Sequence, residues 1–444
     1  MTANPYQYNS PVTTGAGFAG RREAFNFVQA NLMGDQQAAL VILGGQHSGK
    51  SSFLRVLPEH LDDRYVPVRL SLRAGTVAGE KAWLTALAET IPQALAMVDI
   101  QAARLPELPA HPADLRDALQ GEYMAVGLRS LRRDRHLLVL VDNAERLLTA
   151  VQDHALPRDS FKFLAELLAT HDRLDFVLAV DARHESDLMA VGAPFAAGLT
   201  YRLGGLLPAE AAALLTAPLP DGVTMTAETL DTIDELTAGQ PYLVQLMGGS
   251  LFNRIEGREP PLEITVADVA AVTDTVLGMG SEVLASVWRH ATPQDQLVLT
   301  ALSALSPTEP PQPVPHDDIG AWLIAADRML DPRTVNATWR RLEYEGVLTL
   351  AADGKLIING GLQRRWLREH VTLPEGGGRR VPWRRVALIA LAVVLVLAIL
   401  LTLLSLLPGP EAGPISGAGE ATITLDLGLQ GTGEAYEATQ AAAP

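Results

Sequence analysis

Residues 44–51, GGQHSGKS in one-letter code, place glycines, a lysine and two serines directly after an apolar run. Their spacing fits G-x-x-x-x-G-K-[ST], with the lysine at position 50. Such a loop surrounds phosphates with backbone N–H groups, its lysine reaches the β- and γ-phosphates, and its hydroxyl ligates Mg²⁺. We therefore expect this loop to bind the phosphates of a nucleotide. The candidate binding residues are Gly44, Gly45, Gln46, His47, Ser48, Gly49, Lys50, Ser51 and Ser52.

A second set of candidate residues surrounds Asp142, which ends another apolar run. An aspartate at the end of a buried strand can hold Mg²⁺ beside the phosphates, so Ser51 and Asp142 are the candidate metal ligands. The next residue is Asn143, which can orient a water molecule but cannot accept its proton. Glu145 is the candidate base, and the alternative is a surface carboxylate beside Arg146. We therefore expect firm ATP binding with slow hydrolysis.

Arg183 is the fourth candidate catalytic residue, and it closely follows the apolar run LDFVLAVD (174–181). Its guanidinium could stabilise charge on a γ-phosphate, either within one chain or across an oligomer interface. The alternative is a solvated arginine paired with Glu185 or Asp187.

The elements that would position these residues belong to an α/β domain. Near-continuous apolar strands separated by helical segments predict a parallel sheet covered on both faces. The predicted strands are 38–43, 65–72, 136–142, 174–181 and 199–203. The chain after this domain becomes helical, and three later helices are followed by a hairpin that turns at Asp353 and Gly354, which favours a winged helix-turn-helix.

The predicted organisation is therefore a P-loop NTPase core with a helical lid, a winged helix and one C-terminal membrane helix. The predicted segments are an N-terminal adenine-pocket segment (1–37), the ATPase core (38–205), the lid (206–283), the winged helix (284–373), a basic linker (374–385), a transmembrane helix (386–407) and an acidic tail (408–444).

Composition excludes several classes of function. The 444 residues include no cysteine, so disulfides, thiolate zinc sites and cysteine nucleophiles are excluded. The formal charge is −16, so the field of the whole molecule does not attract nucleic acid, and any DNA binding would need a local basic patch.

The segment 386–407 contains 22 residues without a charge. As a helix it would be about 33 Å long, enough to cross the hydrocarbon core of a membrane. Arginines precede it at 379, 380, 384 and 385, whereas no lysine or arginine follows it. This asymmetry predicts a single-pass protein of the cell membrane, with its N-terminal domains cytoplasmic and its tail extracytoplasmic. The alternative is a helix buried in a protein core.

The ordered succession of motifs resembles the STAND-type signal-transduction ATPases of prokaryotes, within the AAA+-like P-loop group that includes archaeal origin-recognition ATPases. The similar stretches are FAGRREAF, the phosphate loop, the strand ending at Asp142, YRLGGLLPAEAAALL, AGQPYLVQLM and LQRRWLREH. The resemblance implies that Phe18 and Arg21 line an adenine pocket and that Pro241 helps transmit which nucleotide is bound. It also implies oligomerisation or a protein partner. The sequence departs from the family at Asn143, where an acid is usual.

We therefore expect a membrane-anchored signalling switch that uses ATP/ADP and Mg²⁺. A membrane-tethered DNA-binding regulator is the less favoured alternative. Its basic candidates, on the presumed recognition helix and wing, are Arg333, Arg340, Arg341 and Lys355. Glu343 and Glu345 interrupt that basic patch and weigh against it. A third alternative makes the membrane segment itself the effector.

Overall fold

The computed structural model describes residues 4–32, 37–98, 105–192, 195, 199–373, 388, 391, 392 and 394–399. The chain divides into two units, Met1–Val381 and Pro382–Pro444. The predicted basic linker and acidic tail lie outside the described residues, as does most of the predicted membrane helix, 386–407. Within the described part of the chain, no helix is long and apolar enough to cross a membrane.

A five-stranded sheet forms the centre of the first unit, and all its described pairings are parallel. The strand order is β2-β3-β4-β1-β5. The strands are β1 (Ala39–Gly44), β2 (Tyr65–Ser71), β3 (His136–Asp142), β4 (Leu174–Asp181) and β5 (Leu199–Leu203). The predicted parallel sheet is confirmed, because strands that are apolar along their length must be covered on both faces.

Alternate side chains of each central strand enter two different cores. In β1, Val41 and Leu43 join the core on one face, whereas Leu40 and Ile42 join the core on the other. The helices of this part of the chain are α1 (Arg22–Leu32), α2 (Lys50–Val56), α3 (Glu80–Met97), α4 (Pro112–Ala118), α5 (Met124–Ser130), α6 (Glu145–Gln152), α7 (Ser160–Thr170) and α8 (Glu185–Val191). This double coverage fixes the strand ends that carry the candidate site.

A helical region follows the sheet. Its elements are α9 (Pro208–Thr216), β6 (Val223–Met225), α10 (Ala227–Thr237), α11 (Pro241–Ile255), β7 (Leu262–Ile264) and α12 (Val266–His290). The predicted boundary between lid and winged helix, at 283 and 284, falls inside α12. Val283 and Leu284 are both buried, so the apolar face of α12 continues through that boundary.

The region 293–370 contains three helices, an antiparallel hairpin and a final helix. This is the element order of the predicted winged helix. The elements are α13 (Pro293–Leu305), α14 (His316–Ala325), α15 (Pro332–Tyr344), β8 (Leu348–Leu350), β9 (Leu356–Ile358) and α16 (Gly361–His370). Its core is continuous with that of the preceding helical region, since Leu246, Leu284 and Leu367 belong to one buried cluster.

Candidate nucleotide-binding site

Three strand ends bring the candidate residues to one edge of the sheet. Gly44 of β1 lies opposite Asp181 of β4 in the parallel register, and β3, which ends at Asp142, pairs with the other side of β4. Ligands of open α/β sheets bind outside the carboxyl ends of the strands. The fold therefore places two carboxylates beside the start of the glycine-rich loop.

The loop between β1 and α2 has the conformation that its glycines permit. Gly49 has a φ of +93°, which favours glycine, and it directly precedes α2. A Cβ at Gly44 would lie 2.4 Å from Ser48 Oγ and 3.2 Å from the backbone oxygen of Leu203, so a larger residue there would require its neighbours to move. His47 is a non-glycine residue at a φ of +58°, and its ring lies 5.0 Å from the ring of Tyr242.

Lys50 folds back over the loop. Its Nζ donates hydrogen bonds to the backbone oxygens of Gly44, at 2.9 Å, and Gly45, at 2.8 Å. Burial lowers the pKa of Lys50, and the nearby carboxylates of Asp181, Glu145 and Asp142 act in the opposite direction. The Nζ atom of Lys50 therefore lies against the start of the glycine-rich loop.

The two candidate metal ligands are in contact. Ser51 Oγ donates to Asp142 Oδ1 at 2.9 Å. Asn143 has a φ of +58°, and its backbone N–H donates to the same carboxylate oxygen at 3.1 Å. Mg²⁺ commonly takes one or two carboxylates together with substrate phosphates and water, and the pairing of Ser51 with Asp142 fits that need.

The Glu145 side chain contacts the end of β4. Its Oε2 accepts a hydrogen bond from the backbone N–H of Asp181 at 3.1 Å. The side chain is half-buried and lines the same cavity as Lys50 and Asn143. Glu145 therefore lies on the cavity wall, and its role as a base stays a prediction.

Arg183 pairs with Asp181, so the alternative that it pairs with Glu185 or Asp187 is wrong. Its Nε donates to Asp181 Oδ1 at 2.8 Å, and one terminal nitrogen donates to Oδ2 at 2.9 Å. Glu185 instead accepts from Arg202, and Asp187 pairs with His184. The partner was missed because it lies before Arg183 in the chain, within the strand.

A cavity of about 520 Å³ lies over the loop. Three separate parts of the chain line it: the glycine-rich loop with the strand ends, the N-terminal segment, and helices α9 and α11. The predicted residues on its wall are Phe18, Arg21, Gln46, His47, Ser48, Gly49, Lys50, Ser51, Ser52, Asn143, Glu145, Arg183 and Pro241. Gly44 and Asp142 do not line the cavity themselves but contact two residues that do, Lys50 and Ser51. Gly45 lines a neighbouring cavity.

Arg21 ties the N-terminal segment to the loop. Its guanidinium donates to the backbone oxygens of Ser48, at 3.0 Å, Gly204, at 2.8 Å, and Gly205, at 3.1 Å. The residue is buried, and burial lowers its pKa. Arg21 therefore borders the cavity while its guanidinium nitrogens hold backbone oxygens in place.

Pro241 reaches the loop because of the turn before α11. Gly239 has a φ of +64°, and a Cβ there would lie 2.2 Å from the backbone oxygen of Leu206. Only glycine fits this close approach. Gln240 then caps α11 by accepting from the N–H of Leu243 at 2.8 Å. The Gly-Gln-Pro stretch thus fixes the start of α11 beside the loop.

Sequence reasoning missed several residues of the cavity wall. Tyr8 and Tyr242 contact edge to face, with ring centroids 6.3 Å apart, and Gln245 Oε1 accepts from the N–H of Gln7 at 3.1 Å. No local signal links residues so distant in the chain. Asp181 did carry a signal, because it ends an apolar strand just as Asp142 does.

One buried polar atom suggests a ligand. Ser48 is 7% exposed, and among the described residues its Oγ has no hydrogen-bond partner. Buried hydroxyls are normally paired, so an unpaired one at the centre of the loop fits a group that brings acceptors, as a phosphate does.

Two solved structures share this architecture. The Walker-type ATPase of Pyrococcus abyssi is 14% identical, with a TM-score of 0.53, over 81% of this chain and 99% of that one. The ORC2 protein of Aeropyrum pernix, solved as ADPNP–ADP complexes, is 13% identical, with a TM-score of 0.51, over 78% of this chain and 91% of that one. No family model matches the chain, and no curated protein matches it. The likeness establishes the fold, which is the parallel α/β fold of P-loop ATPases.

Proposed function

We propose that the protein binds ATP and ADP with Mg²⁺ in the 520 Å³ cavity. The observation that carries the proposal is the pairing of Ser51 with Asp142 at 2.9 Å beside Lys50. A loop lysine, a hydroxyl and a strand-end carboxylate are the groups that P-loop enzymes use to hold phosphates and magnesium. The bound metal would neutralise phosphate charge. Phe18, Tyr8 and Tyr242 would border the adenine of the nucleotide.

Hydrolysis at this site would be slow. Asn143 stands beside the metal-binding aspartate and cannot accept a proton. Glu145 is the proposed base, but its carboxylate is engaged by the N–H of Asp181. Arg183 would stabilise charge on the γ-phosphate after its guanidinium has broken the ion pair with Asp181.

We further propose that the bound nucleotide controls a conformational switch of the STAND type. The lid reaches the loop through Pro241, and α15 reaches the core through Tyr344, whose hydroxyl donates to Glu185 at 3.0 Å. Glu185 lies two residues after Arg183 in the chain, so a change at the phosphate end can reach α15. Oligomerisation or binding of a protein partner would follow release of these contacts.

The membrane anchor remains part of the proposal. It rests on the uncharged stretch 386–407 and on the arginines before it. In the second unit, the described large apolar residues have exposed side chains: Leu388, Leu391, Val394, Leu395, Val396, Leu397 and Ile399. Insertion into lipid would remove these apolar side chains from water. The ATPase would then lie on the cytoplasmic side of the membrane and the tail on the other side.

DNA binding is the second candidate function. Arg333 and Arg340 are exposed on α15, which favours it. The other two basic candidates are engaged by acids, since Arg341 pairs with Asp295 and Lys355 pairs with Asp353. The available basic patch is therefore small, and we keep nucleotide binding as the first function.

Calorimetry of the full-length protein with Mg²⁺-ATP and Mg²⁺-ADP tests the proposal. We expect binding to the wild-type protein and at least a tenfold loss of ATP affinity in Lys50→Ala, because one phosphate-binding charge is removed. Lys162→Ala is the matched control, since Lys162 is an exposed lysine of α7 whose partner is Glu166. Equal affinity in all three proteins would refute nucleotide binding here. Salt-dependent retention on duplex DNA without nucleotide binding would favour the second function.

A further inference from the structure

We infer that Asp181 is a specificity-determining residue, whose carboxylate makes the site favour a nucleoside diphosphate over the triphosphate. This inference rests on the proposed function of nucleotide binding. It concerns a carboxylate that neither the phosphate-loop motif nor the proposed magnesium site uses.

Asp181 lies at the carboxyl edge of the sheet. It ends β4 opposite Gly44, where the glycine-rich loop begins, and it lines the cavity together with Lys50, Glu145 and Arg183. The Lys50 side chain is the group of this motif that reaches the β- and γ-phosphates. Asp181 therefore faces the phosphate end of the cavity and not the end bordered by Phe18 and Tyr8.

The contacts of Asp181 carry the second step. Its side chain is 7% exposed and accepts from Arg183 three times: from the backbone N–H at 3.1 Å, from Nε at 2.8 Å and from a terminal nitrogen at 2.9 Å. Burial acts to raise the pKa of Asp181, but the hydrogen bonds from Arg183 and the charge of Lys50 outweigh it and hold the pKa below its usual value. The group is thus a buried anion that is ion-paired with Arg183.

Charge balance gives the third step. A γ-phosphate entering this end of the cavity would need Lys50, and Arg183 and Arg146 are further cations of the cavity wall. Arg183 is already paired with the carboxylate of Asp181, and this carboxylate would also repel the added phosphate charge in its partly buried position. A β-phosphate would be held by the N–H groups of the loop as well as by Lys50, so the cost of this repulsion falls mainly on the triphosphate.

Asp181 is distinct from the predicted metal ligands. The hydroxyl of Ser51 contacts Asp142, whereas the oxygens of Asp181 are directed to Arg183. If Asp181 instead served as a magnesium ligand, its removal would weaken binding of the triphosphate. The two roles therefore predict opposite signs for the same substitution.

The test compares ADP with a non-hydrolysable ATP analogue, each with Mg²⁺, by calorimetry of the full-length protein. We expect the wild type to bind ADP at least about tenfold more tightly than the analogue. In Asp181→Asn, which keeps the shape of the side chain, the ratio of analogue to ADP affinity should rise about tenfold, mainly through tighter binding of the analogue. Asp187→Asn removes a carboxylate of the same segment, paired with His184 outside the cavity wall, and should leave the ratio unchanged.

The outcomes separate the inference from the function on which it rests. Wild-type protein that binds neither nucleotide would overturn the proposed function itself. Binding of both nucleotides with equal affinity, or with preference for the analogue, would overturn the role of Asp181 alone, even if Asp181→Asn did not fold. A ratio that falls in a folded Asp181→Asn would also overturn it and would identify a magnesium ligand.

Discussion

At the scale of single residues, the backbone conformation of Asn143 limits which residues can replace it. Its φ of +58° lies in the left-handed region, which asparagine and aspartate tolerate better than most residues. Its Nδ2 donates only a long hydrogen bond, 3.4 Å, to the backbone oxygen of Leu72. An aspartate could therefore replace Asn143 with little change in the path of the chain.

Asn143→Asp should raise the rate of ATP hydrolysis. The substitution adds a proton acceptor beside Asp142, the proposed metal ligand, and positioned bases contribute about 10²- to 10⁴-fold to such reactions. We expect at least about a tenfold faster release of phosphate in a single-turnover assay.

Glu145→Gln supplies the comparison for that experiment. It removes the carboxylate proposed as the present base while keeping a side chain that can accept from the N–H of Asp181. Hydrolysis should fall in this variant and recover in part when Asn143→Asp is added. An unchanged rate in Asn143→Asp would show that proton acceptance at this position does not limit turnover.

The residues of the site were predictable where their spacing in the sequence is local. The loop from Gly44 to Ser52 could be located in the sequence because its motif is contiguous, and its binding of phosphate stays a prediction. The pair of Asp181 and Arg183 is also local, yet the sequence offers Arg183 three nearby carboxylates, those of Asp181, Glu185 and Asp187. Only the folded structure shows which of them it pairs with.

At the scale of elements, α15 joins the 293–370 region to the sheet domain. The guanidinium of Arg202, in β5, lies 4.0 Å from the ring centroid of Tyr344, in α15, and Glu185 binds both residues. Helix α15 therefore meets the core at its C-terminal end, close to the segment that carries Arg183.

Tyr344→Ala should loosen this contact. The side chain is 58% exposed, and cation–π contacts at exposed sites contribute about 0.5–1 kcal/mol. We expect amide hydrogen exchange in α15 and α8 to become about two- to fivefold faster, because the local opening free energy falls by that amount. Hydrogen exchange measured by mass spectrometry would report both helices.

Tyr344→Phe is the matched control, since it keeps the ring and removes only the hydroxyl. Exchange in this variant should lie between those of the wild type and Tyr344→Ala. Should Tyr344→Ala exchange like the wild type, the contact would not hold α15 to the core, and the proposed route from Arg183 to α15 would lose its support.

The elements themselves were largely predictable. Every strand of the sheet was expected within a residue of its observed ends, because buried parallel strands are apolar throughout and bounded by polar residues. The length of α12 was not expected. Its apolar face packs against both the lid and the region after it, and a single sequence does not show that two neighbouring regions share one core.

At the scale of the whole molecule, contacts between distant parts of the chain assemble the first unit. Tyr6 packs so closely on α11 that a Cβ at Gly248 would lie 2.4 Å from its ring. Asn4 donates to the backbone oxygen of Gly249 at 2.9 Å, and Gln7 contacts α11 as well. The N-terminal segment thereby closes the cavity against the lid. Sequence periodicity describes only residues that are close together in the chain, so it cannot predict such long-range contacts.

We propose that the first unit binds nucleotide and that the second anchors the protein in a membrane. Full-length protein should sediment with lipid vesicles, because an uncharged helix over 386–407 would be long enough to cross the bilayer. Val396→Arg combined with Leu397→Arg should reduce vesicle binding by at least about a hundredfold, since each central arginine costs about 2.5–3.5 kcal/mol. Nucleotide affinity should not change.

The control adds the same charge to exposed apolar side chains of the first unit, by Met97→Arg combined with Met189→Arg. These methionines are 72% and 62% exposed, so the substitutions should disturb neither folding nor vesicle binding. If the Val396 and Leu397 variant bound vesicles as well as the wild type, the segment would not be the anchor. If both double variants lost binding equally, added positive charge rather than insertion would account for the loss. Binding lost only in the 396 and 397 variant, with ATP affinity intact, would establish that anchoring and nucleotide recognition are carried by different parts of the chain.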